Sequence, residues 1–332
     1  FSTYANVVEI IEIVNSIAGI LLNAVLLYSI MRFSRPILGK YKHLLTIFAI
    51  LDGYLVILHI IVKPRVLRVG NIHSVVSENV FDDRVTSFWV GCQSLPFTLL
   101  GIHFLYRYWS VRLPHLIRLF SNKIFVSFLA FVTLGGLISW YFLCVFATSG
   151  HDNSAALATM VEDYERKYGK RIEHAWILMD QWRDDEFDWI LIAITLLMNM
   201  IMIASLSFSF SFAFLTFLHI KHSFKVSPQA DLLQRKLLVA LCAQSAVPII
   251  FVYMPYVICV NNAFLKIPGN FFHDLCAPAF TFFPVWDPAI VILLFTDYRK
   301  GLLGTVQKPT KKGPTTLQMT TIFVQSRFVV PS

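Results

Sequence analysis

The sequence predicts an all-α membrane protein, a bundle of seven transmembrane helices with its amino terminus outside and its carboxy terminus inside. Three observations predict it. Of 332 residues, 56% are hydrophobic and 14% are charged, where a soluble domain is about 25% charged. Seven runs, at about 6–31, 43–62, 86–106, 124–148, 188–218, 237–260 and 272–296, reach the length of roughly 20 apolar residues that a hydrocarbon layer requires. The basic residues, finally, divide unevenly between the two sets of connections. Thirty phenylalanines and the absence of alternating ten-residue segments read against a transmembrane barrel.

The first run carries Glu9 and Glu12 and has no small-residue cleavage site, so it reads as a helix that stays rather than a signal peptide. The second holds Asp52. The third holds Gln93 and His103 and closes on "HFLYRYWSV", with Arg107 set between Tyr106 and Tyr108. The fifth holds Asn199, and the sixth Gln244, Pro248 and Pro255. The seventh holds Asp287 with Pro278, Pro284 and Pro288. Each proline removes a backbone donor and bends its helix, as packing or as a hinge. Before the sixth run, "SPQADLLQRKLL" reads as a helix start with Ser227 as cap and Pro228 as first residue, carrying Arg235 and Lys236 into the cytoplasm. After the seventh, "YRKGLLG" places Arg299 and Lys300 among headgroups and Leu302 and Leu303 in lipid. The helical domain is thus 1–303; 304–332, rich in Lys, Pro, Gly and Thr, reads as a disordered cytoplasmic tail whose threonines are candidate phosphorylation sites.

Orientation follows from charge. Eighteen of the 28 Lys and Arg residues fall in the connections after runs one, three, five and seven, opposed only by Asp231 and Asp297. That side reads as cytoplasmic. The outer connection 149–187, with Asp188 at its end, carries ten acids and five bases. Within it, "MVEDYERKYGK" pairs Glu162 with Arg166 and Asp163 with Lys167 at i, i+4, which predicts a short solvated helix serving as a lid or as a charged spacer. The net charge of +8 lies along loops beside anionic lipid, so no nucleic-acid partner is expected.

Polar groups inside the runs are few and costly unless partnered. Asp52 lies nine residues beyond His43 and Asp287 ten before Asp297, which puts both about 15 Å from one membrane face. Asn23, nine residues before Arg32, reaches the same level. Asn23, Asp52 and Asp287 therefore read as one internal cluster, either a packing device or a cation- or proton-linked switch. Toward the outer face Trp89, Gln93 and Phe97 share one side of the third helix. Tyr253 and Tyr256 on the sixth, with Phe280 and Thr281 on the seventh, stand at comparable depth. As a set these seven are expected to line a pocket for a small, weakly polar ligand. The cysteines at 92, 144, 242, 259 and 276 read mostly as small buried hydrophobes; whether Cys259 and Cys276 pair is left open.

Five stretches together resemble the nematode serpentine chemoreceptors of the Str class and its Srj relatives. They are "LLN" in the first run, "YKHLLTIFAILD" (41–52), "HFLYRYWSV", "PQADLLQRKLLVALCAQSAVP" (228–248) and "FPVWDPAIVILLFTDYRKGL" (283–302). The resemblance implies a seven-helix, olfactory-type G-protein-coupled receptor in the plasma membrane of a sensory cilium, detecting small molecules through a heterotrimeric G protein. It implies that Arg107 acts in coupling, with Tyr108, Arg235, Lys236, Tyr298 and Arg299 around it. The chain departs from the wider rhodopsin-like pattern at three points: Tyr106 stands where an acid precedes the arginine, Val291 stands where a tyrosine follows Asp287-Pro288, and the long outer loop has no cysteine. Tyr298 is expected at the membrane face.

No enzyme, metal or cofactor is expected, since there is no HExxH and no histidine set at ligand spacing. A secondary transporter would show paired halves with interrupted helices, and no repeat is visible. A ligand-gated channel subunit of the insect odorant type would place the amino terminus inside, against the charge count.

Overall fold

A computed structural model describes residues 2–34, 41–149, 154–183, 186–222, 228–267 and 271–304. Ser227, the side chain of Lys236 and the tail beyond Gly304 lie outside the described residues. Seven helical stretches are long and apolar enough to cross a membrane. The first two spans are α1 (Ser2–Phe33) and α2 (Tyr41–Val62).

The third span, expected as one helix, is two: α3 (Asp83–Cys92) and α4 (Leu95–Arg112). The reason is local chemistry. Pro96 has no N–H to offer the Cys92 carbonyl, the Gln93 and Ser94 amides turn back to Val90 and Gly91, and Ser94 Oγ donates to the Gly91 carbonyl at 2.7 Å. A Cβ on Gly91 would come within 3.1 Å of the Leu137 carbonyl, so only glycine lets α3 approach its neighbour this closely. Broken backbone at membrane depth persists only where it is buried in protein or faces a cavity.

The fourth span is α5 (Lys123–Ser149), reached through a 3-10 helix, Pro114–Ser121. The fifth is α7 (Trp189–His222), its first turn capped by Asp188, whose carboxylate accepts from the Ile190 and Leu191 amides at 3.1 Å. The sixth runs from α8 (Pro228–Pro248) through a π turn, Ile249–Tyr253, into α9 (Met254–Phe264). Its prolines thus bracket a widened turn. The seventh span lies in α10 (Phe271–Leu294), which continues through all three of its prolines. Pro288 leaves the Pro284 carbonyl without its i+4 donor, and Asn23 of α1 supplies one at 2.9 Å. A short α11 (Thr296–Leu302) follows, with Leu302 and Leu303 exposed.

The bundle is helical, and its one β layer caps the end where α1 begins. Strands β1 (Pro64–Val69), β2 (Ile72–Ser77) and β3 (Trp176–Asp180) form an antiparallel sheet, with a smaller hairpin of β4 (Trp182–Arg183) and β5 (Glu186–Phe187) beside it. Between β1 and β2 the two-residue turn Gly70-Asn71 puts Gly70 at φ 59°, the left-handed conformation such turns demand. The predicted loop helix is α6 (Ser154–Tyr168). It lies on the sheet, where Met160, Val161 and Tyr164 cover Leu67, Val76 and Leu178. Its charges pair differently from expectation: Arg166 meets Asp163 one turn back, and Lys167 reaches across to Asp274 of α10.

Candidate functional site

Beneath the sheet a cavity of about 930 Å³, counting its open side, lies among the third, fourth, fifth, sixth and seventh spans. Alternation along the strands builds its ceiling: Val66, His73, Val75, Ile177 and Met179 face down into it, while the residues between them face α6. Five of the seven side chains expected to form a ligand site line it, namely Trp89, Gln93, Phe97, Tyr256 and Phe280. Trp89 stands edge-on to Phe280, ring centroids 5.4 Å apart, and Tyr256 lies 5.1 Å from Trp140 and donates to Met198 Sδ at 3.3 Å. Thr281 turns the other way, accepting from Asn15 Nδ2 at 2.8 Å on α1, and Tyr253 flanks Phe97 at 5.5 Å behind the wall.

Among the described lining residues none is Asp, Glu, Lys or Arg. His73 is the one imidazole, and burial, then nearby His273 and Arg68, hold its ring down at about 3, so it is neutral. The walls therefore suit an uncharged molecule, with Gln93, Ser94 and the Trp89 indole N–H, which has no partner among the described residues, as its polar contacts. Cys259 and Cys276 stand side by side on this wall as free thiols, while Cys242 is exposed rather than buried.

At mid-bundle, Asp52 stands against Asp287, close enough for one carboxyl to hydrogen-bond the other when either carries a proton. Gln244 donates to Asp287 Oδ2 at 2.9 Å. Asn23 shares their level but spends its amide on the α10 backbone, so the pair's amide partner comes from α8.

At the opposite end Arg107 is buried, its guanidinium 4.0 Å over the Tyr41 ring. Tyr106, in place of an acid, stacks on Tyr41 at 5.9 Å and meets Phe120 of the 3-10 helix at 5.0 Å. Tyr298 is fully buried in the same cluster, its hydroxyl 2.9 Å from Ser34 Oγ. The membrane-face expectation for it fails because α11 turns back on α1, where the Phe33 ring lies over Gly301 with no room for a Cβ. Tyr108 is half-buried against Phe212 at 5.4 Å, and Arg235 and Arg299 are exposed.

Sequence reasoning missed the brace that holds the ceiling. Arg65 Nη1 lies 2.5 Å from Glu12 of α1 and its Nε 2.8 Å from Glu78, after β2. Lys63 bridges Glu9 and Glu78 at 2.8 and 2.9 Å, and Tyr164 of α6 donates to Glu78 at 2.8 Å. Two acids in an apolar helix, facing Lys63 and Arg65 at the end of the next, were its available signal. Burial by itself would raise the Glu78 carboxyl, but Arg65 and the donors from Lys63 and Tyr164 outweigh it and hold the group at about 2. A depressed carboxylate stabilises the fold above its unfolded value, about 4.3, and that stability is lost as pH falls toward 2. A buried neutral histidine is likewise lost between about 6.5 and 3. The melting temperature in nanodiscs is therefore expected to be flat from neutral pH down to about 6.5 and to fall progressively below it. In Glu78→Gln the portion of that fall below pH 4.5 should shrink.

The sequence of residues 8–303 matches the family model described as serpentine type 7TM GPCR chemoreceptor Str. Among curated proteins the chain is similar to "Serpentine receptor class r-10" of Caenorhabditis briggsae, 24% identical over 313 residues that cover 90% of each chain. The Caenorhabditis elegans protein of the same name is 23% identical over 280 residues, covering 80% of this chain and 81% of its own.

Proposed function

Because the chain belongs to the Str family of serpentine seven-transmembrane G-protein-coupled chemoreceptors, we propose that it binds a small, uncharged, weakly polar molecule in the cavity under the sheet and signals through a heterotrimeric G protein at the Arg107 end. The observation that carries this reading is the cavity itself: aromatic and sulfur-bearing walls without a charged side chain among the described residues, closed above by a dedicated sheet. Uneven distribution of Lys and Arg supports an outward-facing sheet and an inward-facing Arg107, which suits a receptor exposed on a sensory cilium. Ligand shifts the receptor only through differential affinity for two states. The π turn between Pro248 and Pro255 and the α3–α4 joint, both touching the cavity or its wall, are the elements in which those states differ.

The test is expression with a promiscuous Gα and a panel of small uncharged molecules, read as calcium release. A response is expected, and Met202→Trp, which fills the cavity from α7, should raise the effective concentration at least tenfold at matched surface level. A response indifferent to Met202→Trp would take the ligand out of this cavity.

A further inference from the structure

The cavity has a sealed ceiling and an open flank. On its underside the ceiling presents Val66, Val75, Ile177 and Met179, all buried. A second layer, Leu67, Val76 and Leu178 under α6, closes it from above, and the Arg65–Glu12–Glu78 brace with the Tyr164 hydroxyl fastens both layers to α1. The flank differs. Ser94 and Thr98 at the α3–α4 joint, Gly136 of α5, and Ile201 and Ser205 of α7 line the cavity yet are only half-buried. Around them Phe131, Ile138, Met200 and Ile203 are exposed apolar side chains on the outer faces of α5 and α7, surfaces that belong in hydrocarbon. Gly136 forms the sill. A Cβ there would meet only Thr98 Oγ1, at 3.5 Å.

We infer that the cavity exchanges its ligand with the bilayer through this flank, between α4, α5 and α7, and not through the sheet. The inference rests on the cavity being the ligand site. It narrows the ligand to neutral molecules that dissolve in hydrocarbon, because a molecule must enter the membrane before it reaches the wall. The half-buried hydroxyls of Ser94, Thr98 and Ser205 give it polar contacts on the way in.

The probe for the test is 1-aminoanthracene, an uncharged fluorophore that brightens in apolar surroundings, mixed by stopped flow with the full chain in nanodiscs. Gly136→Leu and Ser205→Phe narrow the flank from two different helices, so a folding failure in one leaves the other. In both, entry and exit are expected to slow about tenfold or more while affinity stays within about threefold, the signature of a raised barrier rather than an altered site. Tyr164→Phe, which loosens the ceiling, should leave both rates within about twofold. Faster entry in Tyr164→Phe with unchanged rates in the flank variants would overturn the inference in favour of the ceiling. Absence of saturable binding in the wild type, or binding that survives Met202→Trp, would overturn the ligand-cavity reading beneath it.

Discussion

Arg107→Leu is expected to abolish G-protein signalling while leaving surface expression and ligand binding in place, and to keep or raise the melting temperature. The two halves of that expectation have different causes. A buried charge without a carboxylate costs several kcal/mol, and Arg107 Nε and Nη2 find no acceptor among the described residues. Its stacking over Tyr41 at 4.0 Å offsets about 2 kcal/mol at most. Removing the guanidinium therefore removes a net burden from the resting bundle, and the fold has no reason of its own to keep it. Calcium release, surface labelling and a thermal melt on the same variant check the three parts. A melt lowered by several degrees, or failure to reach the surface, would make Arg107 a structural residue and sink its role in coupling.

Arg65→Ala should be the most damaging single substitution at the sheet end, costing about 3–5 kcal/mol, because it leaves Glu12 and Glu78 as buried carboxylates without their cation. Replacing the whole set, Arg65→Met with Glu12→Leu and Glu78→Leu, should recover most of that loss, since no uncompensated charge remains. Melting in nanodiscs reads both variants. A shift of less than about 1 °C in Arg65→Ala would mean that water already shares the brace. Ligand affinity should fall in Arg65→Ala and return in the triple variant, because the ceiling residues Val66 and Val75 hang from the strands this brace holds.

The seven spans were legible because a hydrocarbon solvent permits few alternatives: apolar length marks a crossing whatever the helices then do. Lateral position was legible only in part. Trp89, Gln93 and Phe97 could be read as one face because helical period fixes it, but whether Thr281 turned toward the cavity or toward Asn15 depended on a neighbour 266 residues away in sequence. The sheet was overlooked although "VLRVGNIHSVV" carries β-branched residues on both sides of a Gly-Asn turn. Its strands were read as connection because a search for long apolar runs passes over six-residue segments. The break at Gln93 had its signal in Pro96, masked by the hydropathy that continues on either side. Glu12 was seen as an oddity of the first helix, and its purpose appears only with Arg65 beside it.

The ceiling's alternation has an evolutionary consequence. Ligand-facing residues on β1, β2 and β3 sit at every second position, and their neighbours hold α6. A lineage can therefore exchange Val66, His73, Val75, Ile177 or Met179 one at a time, altering what the receptor detects, while the intervening residues keep the lid assembled. The β1–β2 hairpin closes through only two residues, Gly70 and Asn71, so duplicated copies of the gene would diversify by substitution in the strands rather than by lengthening the turn. An insertion of one residue would instead exchange the two faces and place the α6-binding side chains over the ligand. New odour specificities should thus arise in this region as scattered point changes with the spacing of a pleat.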